Sequence, residues 1–230
     1  MIVAIEGGDA AGKYTQSTRL AEKLGAKRFA FPNYESATGK AILGNLKSEW
    51  ATHIRCGQSE ENVELRIIRD ASENKLNAMV LQSLFLANRM EAQETLQAAA
   101  DCGHVVFDRY TASGEIYGTL DGLDPEWLRA MNDALIVQPD LFILLDASVD
   151  EGFRRRPERR DRYESDRERL EQVRLAYLRL FTERQARTVK EGLGQSWVVV
   201  DAVATADEVE ARIWAVVEPK LNRSIEVTAP

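Results

Sequence analysis

A glycine-rich segment near the start of the chain has the composition of a phosphate-binding loop. It consists of Gly7, Gly8, Asp9, Ala10, Ala11, Gly12 and Lys13, followed by Tyr14 and Thr15. Small residues let a backbone wrap around phosphate groups, so that its N–H groups and the N-terminus of the next helix face the anion. A lysine at the end of such a loop stabilises the charge that develops as a phosphoryl group leaves. A plain glycine-rich turn is the simpler alternative, but the strand pattern before the segment and the helix pattern after it favour a loop that binds ATP.

The residue after Lys13 departs from the strict phosphate-loop pattern. A Ser or Thr hydroxyl in that place binds Mg²⁺, whereas this chain has Tyr14 there. The phenol oxygen lies too far from its own backbone to replace the hydroxyl, and Thr15 comes one residue late. We therefore expect Mg²⁺ to be held by ATP oxygens, water and a carboxylate, since this ion usually keeps several waters. We expect the Tyr14 ring to fill space behind the loop.

Strand-length apolar runs alternate with helical patterns along the chain. The predicted strands are Ile2–Glu6, Arg28–Phe31, His104–Asp108, Leu141–Asp146 and Trp197–Asp201. The clearest predicted helices are Lys13–Leu24, Met79–Ala100, Pro125–Leu135, Ser165–Lys190 and Ala206–Val217. This alternation predicts a doubly wound α/β fold of the P-loop type, with a parallel five-stranded sheet and helices on both of its faces. We expect one domain over residues 1–221 and a frayed tail over residues 222–230.

The bulk composition excludes several classes of protein. The 230 residues are 44% hydrophobic and 29% charged, which is typical of a folded soluble domain. A net charge of -7 argues against a surface that coats nucleic acid. The apolar runs are too short to span a membrane. With two cysteines in no metal or disulfide pattern and no basic leader before the first strand, we expect a cytoplasmic setting.

The densest positive charge of the chain lies between residues 154 and 162. Its arginines are Arg154, Arg155, Arg156, Arg159, Arg160 and Arg162. Most charge runs are solvated faces. Phosphoryl transfer, however, needs a cation over the migrating group, so Arg159, Arg160 and Arg162 are candidate catalytic residues. One of Arg154, Arg155 and Arg156 is a candidate for stacking on the adenine of ATP, and Arg155 is the residue that we assign to ATP binding.

Further motifs follow the loop in a fixed order. They are Phe31-Pro32-Asn33, Leu84-Phe85-Leu86-Ala87-Asn88-Arg89, Phe107-Asp108-Arg109-Tyr110-Thr111-Ala112-Ser113-Gly114, Gln138-Pro139-Asp140-Leu141 and Asp161-Arg162-Tyr163-Glu164. Each is weak alone, but together with the acid at Asp9 they resemble the thymidylate kinase (dTMP kinase) family over most of the chain. The resemblance implies a nucleoside-monophosphate kinase that moves the γ-phosphoryl group of ATP to dTMP with Mg²⁺, without a covalent enzyme intermediate. It also implies a homodimer that binds small nucleotides, and a lid segment around residues 154–164.

The resemblance assigns an acceptor site to the matching residues. Its members are Asp9, Pro32, Phe85, Arg89, Arg109, Ser113, Gly114 and Tyr117. Asp9 would accept a hydrogen bond from the 3′-hydroxyl of the sugar, Phe85 would stack on the pyrimidine, and Arg89 would donate to its carbonyl edge. Ser113 would touch the base, and Tyr117 would pack where a ribose 2′-hydroxyl would lie.

The resemblance also completes a catalytic set with Lys13 and the lid arginines. Arg109 would bind the acceptor phosphate, since its planar fork suits phosphate oxygens. Asp108, at the carboxyl end of a strand, would orient Mg²⁺ through water. Simpler readings stay open: Asp9 as a capping acid, Phe85 as core, and Asp108 in an ion pair with a neighbouring arginine.

Two further alternatives concern the activity itself. The acceptor is dTMP in the leading hypothesis, and dUMP or a 5-modified dUMP in the alternative. A P-loop protein that binds nucleotides without catalysis is a third hypothesis, motivated by Tyr14. The segment from Leu46 to Met79 is longer than the matching connection in the family, so it is expected to affect the acceptor pocket or the dimer contact.

Overall fold

A five-stranded parallel sheet forms the centre of the molecule. The structure, a computed structural model, describes residues 1–46, 75–155, 167–191 and 194–227. The strands are β1 (Ile2–Gly7), β2 (Lys27–Ala30), β3 (Val105–Asp108), β4 (Leu141–Asp146) and β5 (Ser196–Asp201). They lie in the order β2-β3-β1-β4-β5, and every neighbouring pair is parallel. The predicted doubly wound α/β class is confirmed.

The helices cover both faces of this sheet. Those of the described residues are α1 (Lys13–Leu24), α2 (Ala37–Leu46), α3 (Lys75–Met90), α4 (Gln93–Cys102), α5 (Thr111–Leu120), α6 (Pro125–Asp133), α7 (Val149–Arg155), α8 (Arg167–Glu191) and α9 (Ala206–Val227). The long helical region that the sequence predicts after Pro32 includes α2, whereas the sequence pattern does not predict α5 or α7. These helices are at most 10 residues long, and helices of that length depend on tertiary packing rather than on their own propensity.

Two apolar clusters, one on each face, hold the sheet between its helices. Alternate residues of β1 enter different clusters: Ala4 faces the first, and Val3 and Ile5 face the second. The first cluster contains Tyr177 and Phe181 of α8, and the second contains side chains of α1 and α9. The two-sided burial explains why the central strands are almost continuously apolar.

One predicted helix is two helices. The pattern from Met79 to Ala100 predicts a continuous helix, but α3 ends at Met90 and α4 begins at Gln93. Nε2 of Gln93 donates to the carbonyl oxygen of Arg89 at 2.9 Å, which satisfies an acceptor at the end of α3. No glycine or proline lies at the break, so the local sequence does not indicate it.

The last helix runs further than its pattern predicts. The predicted end at Val217 is corrected to Val227, and Pro219 lies inside the helix. Although a proline removes one backbone N–H and crowds the preceding turn, Leu221 beyond it still packs against the second apolar cluster. The helix thus enters the segment 222–230 that was expected to lack regular structure, and residues 228–230 lie outside the described ranges.

Within the described ranges, no helix is long and apolar enough to cross a membrane.

Candidate active site

The phosphate loop lies at the carboxyl edge of the sheet, between β1 and α1. Its backbone is left-handed at Ala10 and Gly12, where φ is 61° and 96°. A Cβ added at Gly7 would lie 2.7 Å from the carbonyl oxygen of Leu145, so a larger residue would collide with β4. The N–H of Gln16 donates to the carbonyl oxygen of Gly12 at 3.0 Å, which starts α1 directly after the loop. The strand–turn–helix context that the motif requires is present.

Lys13 is buried inside the loop that it closes. The residue is 8% exposed, and its Nζ donates to the carbonyl oxygen of Gly8 at 2.5 Å. Burial, followed by the positive charge of Arg109, lowers the pKa of Lys13 from 10.5 to about 8. This desolvated ammonium would donate stronger hydrogen bonds to charged phosphate oxygens than it donates to the neutral carbonyl of Gly8.

Arg109 connects the loop to a neighbouring cavity. One guanidinium nitrogen donates to Oδ1 of Asp9 at 2.5 Å. The other donates to the carbonyl oxygen of Gly7 and to Oγ of Ser113, both at 3.2 Å. Arg109 follows β3 directly and has a φ of 63°, an unusual value for a residue with a side chain. The structure thus brings Asp9, Arg109 and Ser113 together.

Sequence reasoning missed two residues that hold this arrangement. Glu6 is fully buried and accepts hydrogen bonds from the N–H of Tyr110 at 2.8 Å and from Oγ of Ser113 at 2.6 Å. The hydroxyl of Tyr177 lies 2.8 Å from the same Oγ and accepts from Arg109 at 3.3 Å. Burial raises the pKa of Tyr177, so its hydroxyl stays protonated. An acid that ends an otherwise apolar strand was the available signal for Glu6, whereas Tyr177 lies among the apolar residues of its helix and gave none.

Asp108, the residue expected to orient Mg²⁺, is in an ion pair. Nη2 of Arg28 donates to Oδ2 of Asp108 at 2.6 Å, and Nε of Arg28 donates to Oγ of Ser17 at 2.7 Å. The ion pair that the sequence left open for Asp108 is therefore present. Arg28 itself was not predicted as a site residue.

Tyr14 lies against this ion pair at the surface. Its ring centroid is 4.7 Å from Cζ of Arg28, and the residue is 69% exposed. The expectation that Tyr14 fills space behind the loop is wrong, because the ring stacks on the guanidinium outside it. Thr15 is also exposed.

The side chains near the loop suit a metal ion held mainly by phosphate oxygens and water. In the part of the chain that the structure describes, no three His, Cys, Asp or Glu side chains form a metal-ligand group. The hydroxyl of Ser17 is engaged with Arg28 and with the carbonyl oxygen of Tyr14, at 2.7 and 3.1 Å. A single carboxylate at Asp108 fits Mg²⁺, which binds through one or two carboxylates and keeps several waters.

A cavity beside Arg109 contains every residue predicted to bind the acceptor. Its lining includes Asp9, Pro32, Phe85, Arg89, Arg109, Ser113, Gly114 and Tyr117, with Phe31, Tyr34, Leu46, Leu81, Gln82, Tyr110 and Asp121. Phe85 also packs against Ile42 and Leu81, so the core interpretation and the binding interpretation of this residue are compatible.

Arg89 is buried at the end of α3 among neutral partners. Its terminal nitrogens donate to the carbonyl oxygen of Tyr110 at 3.3 Å and to Oδ1 of Asn132 at 3.0 Å. Within the described ranges its Nε has no hydrogen-bond partner, and burial lowers the pKa of Arg89 to about 10. A carbonyl group of a bound ligand would give the Arg89 guanidinium a hydrogen-bond acceptor.

Asn88 attaches the segment that carries Pro32 to α3. Its Oδ1 accepts from the N–H of Asn33 at 2.8 Å, and its Nδ2 donates to Oγ of Ser36 at 2.8 Å. The Phe31–Pro32 peptide bond is cis. One wall of the cavity is therefore positioned by a buried amide on the opposite element.

Arg155 lies next to the phosphate loop. Its guanidinium donates to the carbonyl oxygens of Ala11 at 3.4 Å and Ala202 at 2.5 Å, and its Nε is paired with Glu151 at 2.7 Å. This location is compatible with contact to ATP. The predicted lid residues Arg159, Arg160 and Arg162 lie outside the described residues.

Comparisons with known proteins agree with the motifs. The family described as Thymidylate kinase matches residues 63–213 of this chain. A probable thymidylate kinase of Archaeoglobus fulgidus is 28% identical over 96% of this chain and 97% of its own length. The thymidylate kinase of Schizosaccharomyces pombe is 30% identical over 92% of this chain and 89% of its own length.

Solved structures with this fold include a nucleotide kinase and a nucleoside kinase. The thymidylate kinase of Candida albicans superposes with a TM-score of 0.68 at 24% identity, over 96% of this chain and 92% of that one. The deoxyadenosine kinase of M. mycoides superposes with a TM-score of 0.62 at 20% identity, over 97% and 100%. At these identities the two structures support only the fold. The family match and the relative from Schizosaccharomyces pombe support membership of the family. This chain belongs to the thymidylate kinase family.

Proposed function

We propose that this protein transfers the γ-phosphoryl group of ATP to dTMP, producing dTDP and ADP. Membership of the thymidylate kinase family supports this reaction. The observation that carries it is the contact of Arg109 with both sites, since its guanidinium bonds the phosphate loop at Gly7 and lines the acceptor cavity. A donor phosphate and an acceptor phosphate would meet at this side chain.

The chemical step requires two phosphates in line and little covalent help from the protein. A phosphate oxygen of dTMP forms a bond to the γ-phosphorus. The bond between that phosphorus and the β,γ-bridging oxygen breaks, and its electron pair leaves on ADP. Lys13 would bind the β- and γ-phosphates, with the loop N–H groups as further donors.

The acceptor would bind with its phosphate at Arg109 and its base between α3 and α5. Release of Asp9 from Arg109 would make the Asp9 carboxylate available to the 3′-hydroxyl of the sugar and one guanidinium N–H available to phosphate. Phe85 would stack on the pyrimidine, and Arg89 would donate to a ring carbonyl. Tyr117 would close the sugar pocket.

ATP and Mg²⁺ are the expected donor and metal of this reaction. When bound, Mg²⁺ neutralises charge on the transferring phosphate. Asp108 would hold it through water, which requires the carboxylate to be shared with or released by Arg28. The loop has Ala10 where some family members place arginine, so we assign the missing cation to Arg159, Arg160 or Arg162 of the lid.

Kinship with thymidylate kinases favours dTMP over dUMP or a 5-modified dUMP as the acceptor. A non-catalytic binding protein is disfavoured because Lys13, Asp108 and Arg109 are retained and lie around one site. A homodimer and a cytoplasmic location stay predictions of the sequence.

The test is ADP release from ATP and Mg²⁺ with a panel of nucleoside monophosphates. We expect dTMP to be turned over fastest, purine monophosphates to be poor acceptors, and chelation of Mg²⁺ to abolish turnover. Faster turnover of dGMP or AMP than of any pyrimidine would contradict the assignment.

A further inference from the structure

A second buried polar group of the acceptor cavity has no hydrogen-bond partner among the described residues. Gln82 of α3 is 2% exposed and lines the cavity, and its Oε1 is buried with no hydrogen-bond partner in the part of the chain that the structure describes. Buried amide oxygens are almost always bonded, because an unpaired one has lost its water without compensation. A ligand group is the natural partner of an acceptor aimed into a binding cavity.

Gln82 lies on the same side of α3 as the residues already assigned to the base. Phe85 follows it by three positions and Arg89 by seven, so all three share one helical face. A Cβ added at Gly114 on the facing helix α5 would lie 3.4 Å from Oε1 of Gln82 and 3.3 Å from Nη2 of Arg89. An acceptor and a donor thus converge on one small volume, which the glycine leaves open.

This pair of groups is complementary to an edge with an N–H beside a carbonyl. The oxygen of Gln82 needs a donor, while a guanidinium can only donate. Thymine and uracil present such an edge, since N3–H adjoins the C4 carbonyl. Cytosine presents the reverse, an unprotonated N3 beside an amino group, and Arg89 cannot accept a hydrogen bond from that amino group.

We propose that Gln82 is a specificity-determining residue, whose Oε1 accepts the N3–H of an imide-type pyrimidine while Arg89 donates to the adjacent carbonyl. The inference rests on the proposed function, because it describes how that acceptor's base is read. A site built to bond a ligand N–H rejects an analogue that lacks it, since the buried acceptor is then left unpaired.

Equilibrium binding of dTMP, dCMP and N3-methyl-dTMP tests the proposal without depending on turnover. Gln82→Met keeps the length of the side chain and removes the acceptor. Ser83→Ala is the matched control, because its exposed hydroxyl donates only to the preceding turn at Met79.

We expect the wild type to bind dTMP in preference to dCMP and N3-methyl-dTMP. Gln82→Met should raise the Kd for dTMP about tenfold, the size expected for one buried hydrogen bond, and leave the Kd for dCMP nearly unchanged. Ser83→Ala should keep the preference for dTMP.

Several results would overturn the proposal. An unchanged Kd for dTMP in Gln82→Met, or equal losses for dTMP and dCMP, would show that Gln82 only supports the helix. If Gln82→Met does not fold, wild type that binds N3-methyl-dTMP as tightly as dTMP still refutes the contact. Wild type that binds no pyrimidine monophosphate contradicts the proposed function, and the inference with it, a result distinct from the other outcomes.

Discussion

Burial in the phosphate loop disfavours the positive charge of Lys13. Its pKa of about 8 means that the free enzyme loses the ammonium as pH rises through that value. Only the protonated side chain binds phosphate, so we expect kcat/KM for ATP to fall as pH rises above about 8. Bound phosphates raise the pKa of the lysine, so kcat at saturating ATP should persist to higher pH. Initial rates from neutral to alkaline pH measure both; a kcat/KM that stays flat through this range would show that the lysine is charged without ATP.

The same burial predicts that Lys13→Met stabilises the protein without ATP. Folding lowers this pKa from 10.5 to about 8, so in that window the unfolded chain binds a proton that the folded protein does not. The free energy of unfolding therefore rises with pH across the window, and at neutral pH the lysine is destabilising. After allowance for the lost hydrogen bond to Gly8, we expect Lys13→Met to raise the free energy of unfolding by about 2 kcal/mol at neutral pH.

Denaturant unfolding at two pH values measures this gain. It should shrink above the window, where the wild-type lysine is neutral in both states. Turnover should fall by orders of magnitude, because removing one transition-state donor costs about 3–4 kcal/mol. A folded Lys13→Met variant with near-normal kcat would refute the role of the loop.

The ion pair of Arg28 and Asp108 predicts opposite effects of two substitutions. Asp108→Asn removes the carboxylate available to orient Mg²⁺ and should cause a large loss of kcat. Arg28→Met removes a cation that competes for that carboxylate and should lower the Mg²⁺ concentration for half-maximal activity. Arg28→Lys is the control that keeps the charge. Mg²⁺ titrations of the three variants decide; a higher Mg²⁺ requirement in Arg28→Met would mean that the arginine supports the metal site.

At the scale of elements, α3 contacts the segment after β2, although the two are far apart in the sequence. Asn88 is 1% exposed and bonds both the backbone of Asn33 and the hydroxyl of Ser36. Asn88→Ala should lower the free energy of unfolding by about 2–3 kcal/mol, because several buried groups lose partners. It should also raise KM for dTMP more than it lowers kcat, since the cavity wall moves while the phosphate loop does not. Denaturant unfolding and steady-state kinetics test both parts, with Ser83→Ala as the exposed control on α3; equal effects of the two variants would contradict the anchoring role.

The elements differ in how far the sequence could predict them. The three central strands β1, β3 and β4 follow from apolar runs, since burial on both faces demands them. The break between α3 and α4 could not be predicted, because it is held by the Gln93 side chain and marked by no glycine or proline. The motifs located Arg109 and Phe85, because both residues lie within recognisable runs of sequence. Glu6, Arg28 and Gln82, in contrast, gain their roles only when separate elements meet.

At the scale of the whole molecule, two sites meet at the carboxyl edge of one sheet. The loop after β1 is the predicted donor site, and the cavity between α3 and α5 is the predicted acceptor site. Arg109, at the end of the strand beside β1, contacts both. Open parallel sheets bind ligands at this edge, and the arrangement predicts direct transfer between the two ligands.

The most direct measurement is the amount of dTDP formed for each ADP released when the protein is incubated with ATP, Mg²⁺ and dTMP. Direct transfer predicts one dTDP per ADP, no ADP release without dTMP, and loss of both products together in Arg109→Met. ADP release without dTDP would mean that water is the acceptor, and an inactive wild type that still binds ATP would mean that Tyr14 marks a site without catalysis. Either result would contradict the proposed kinase activity.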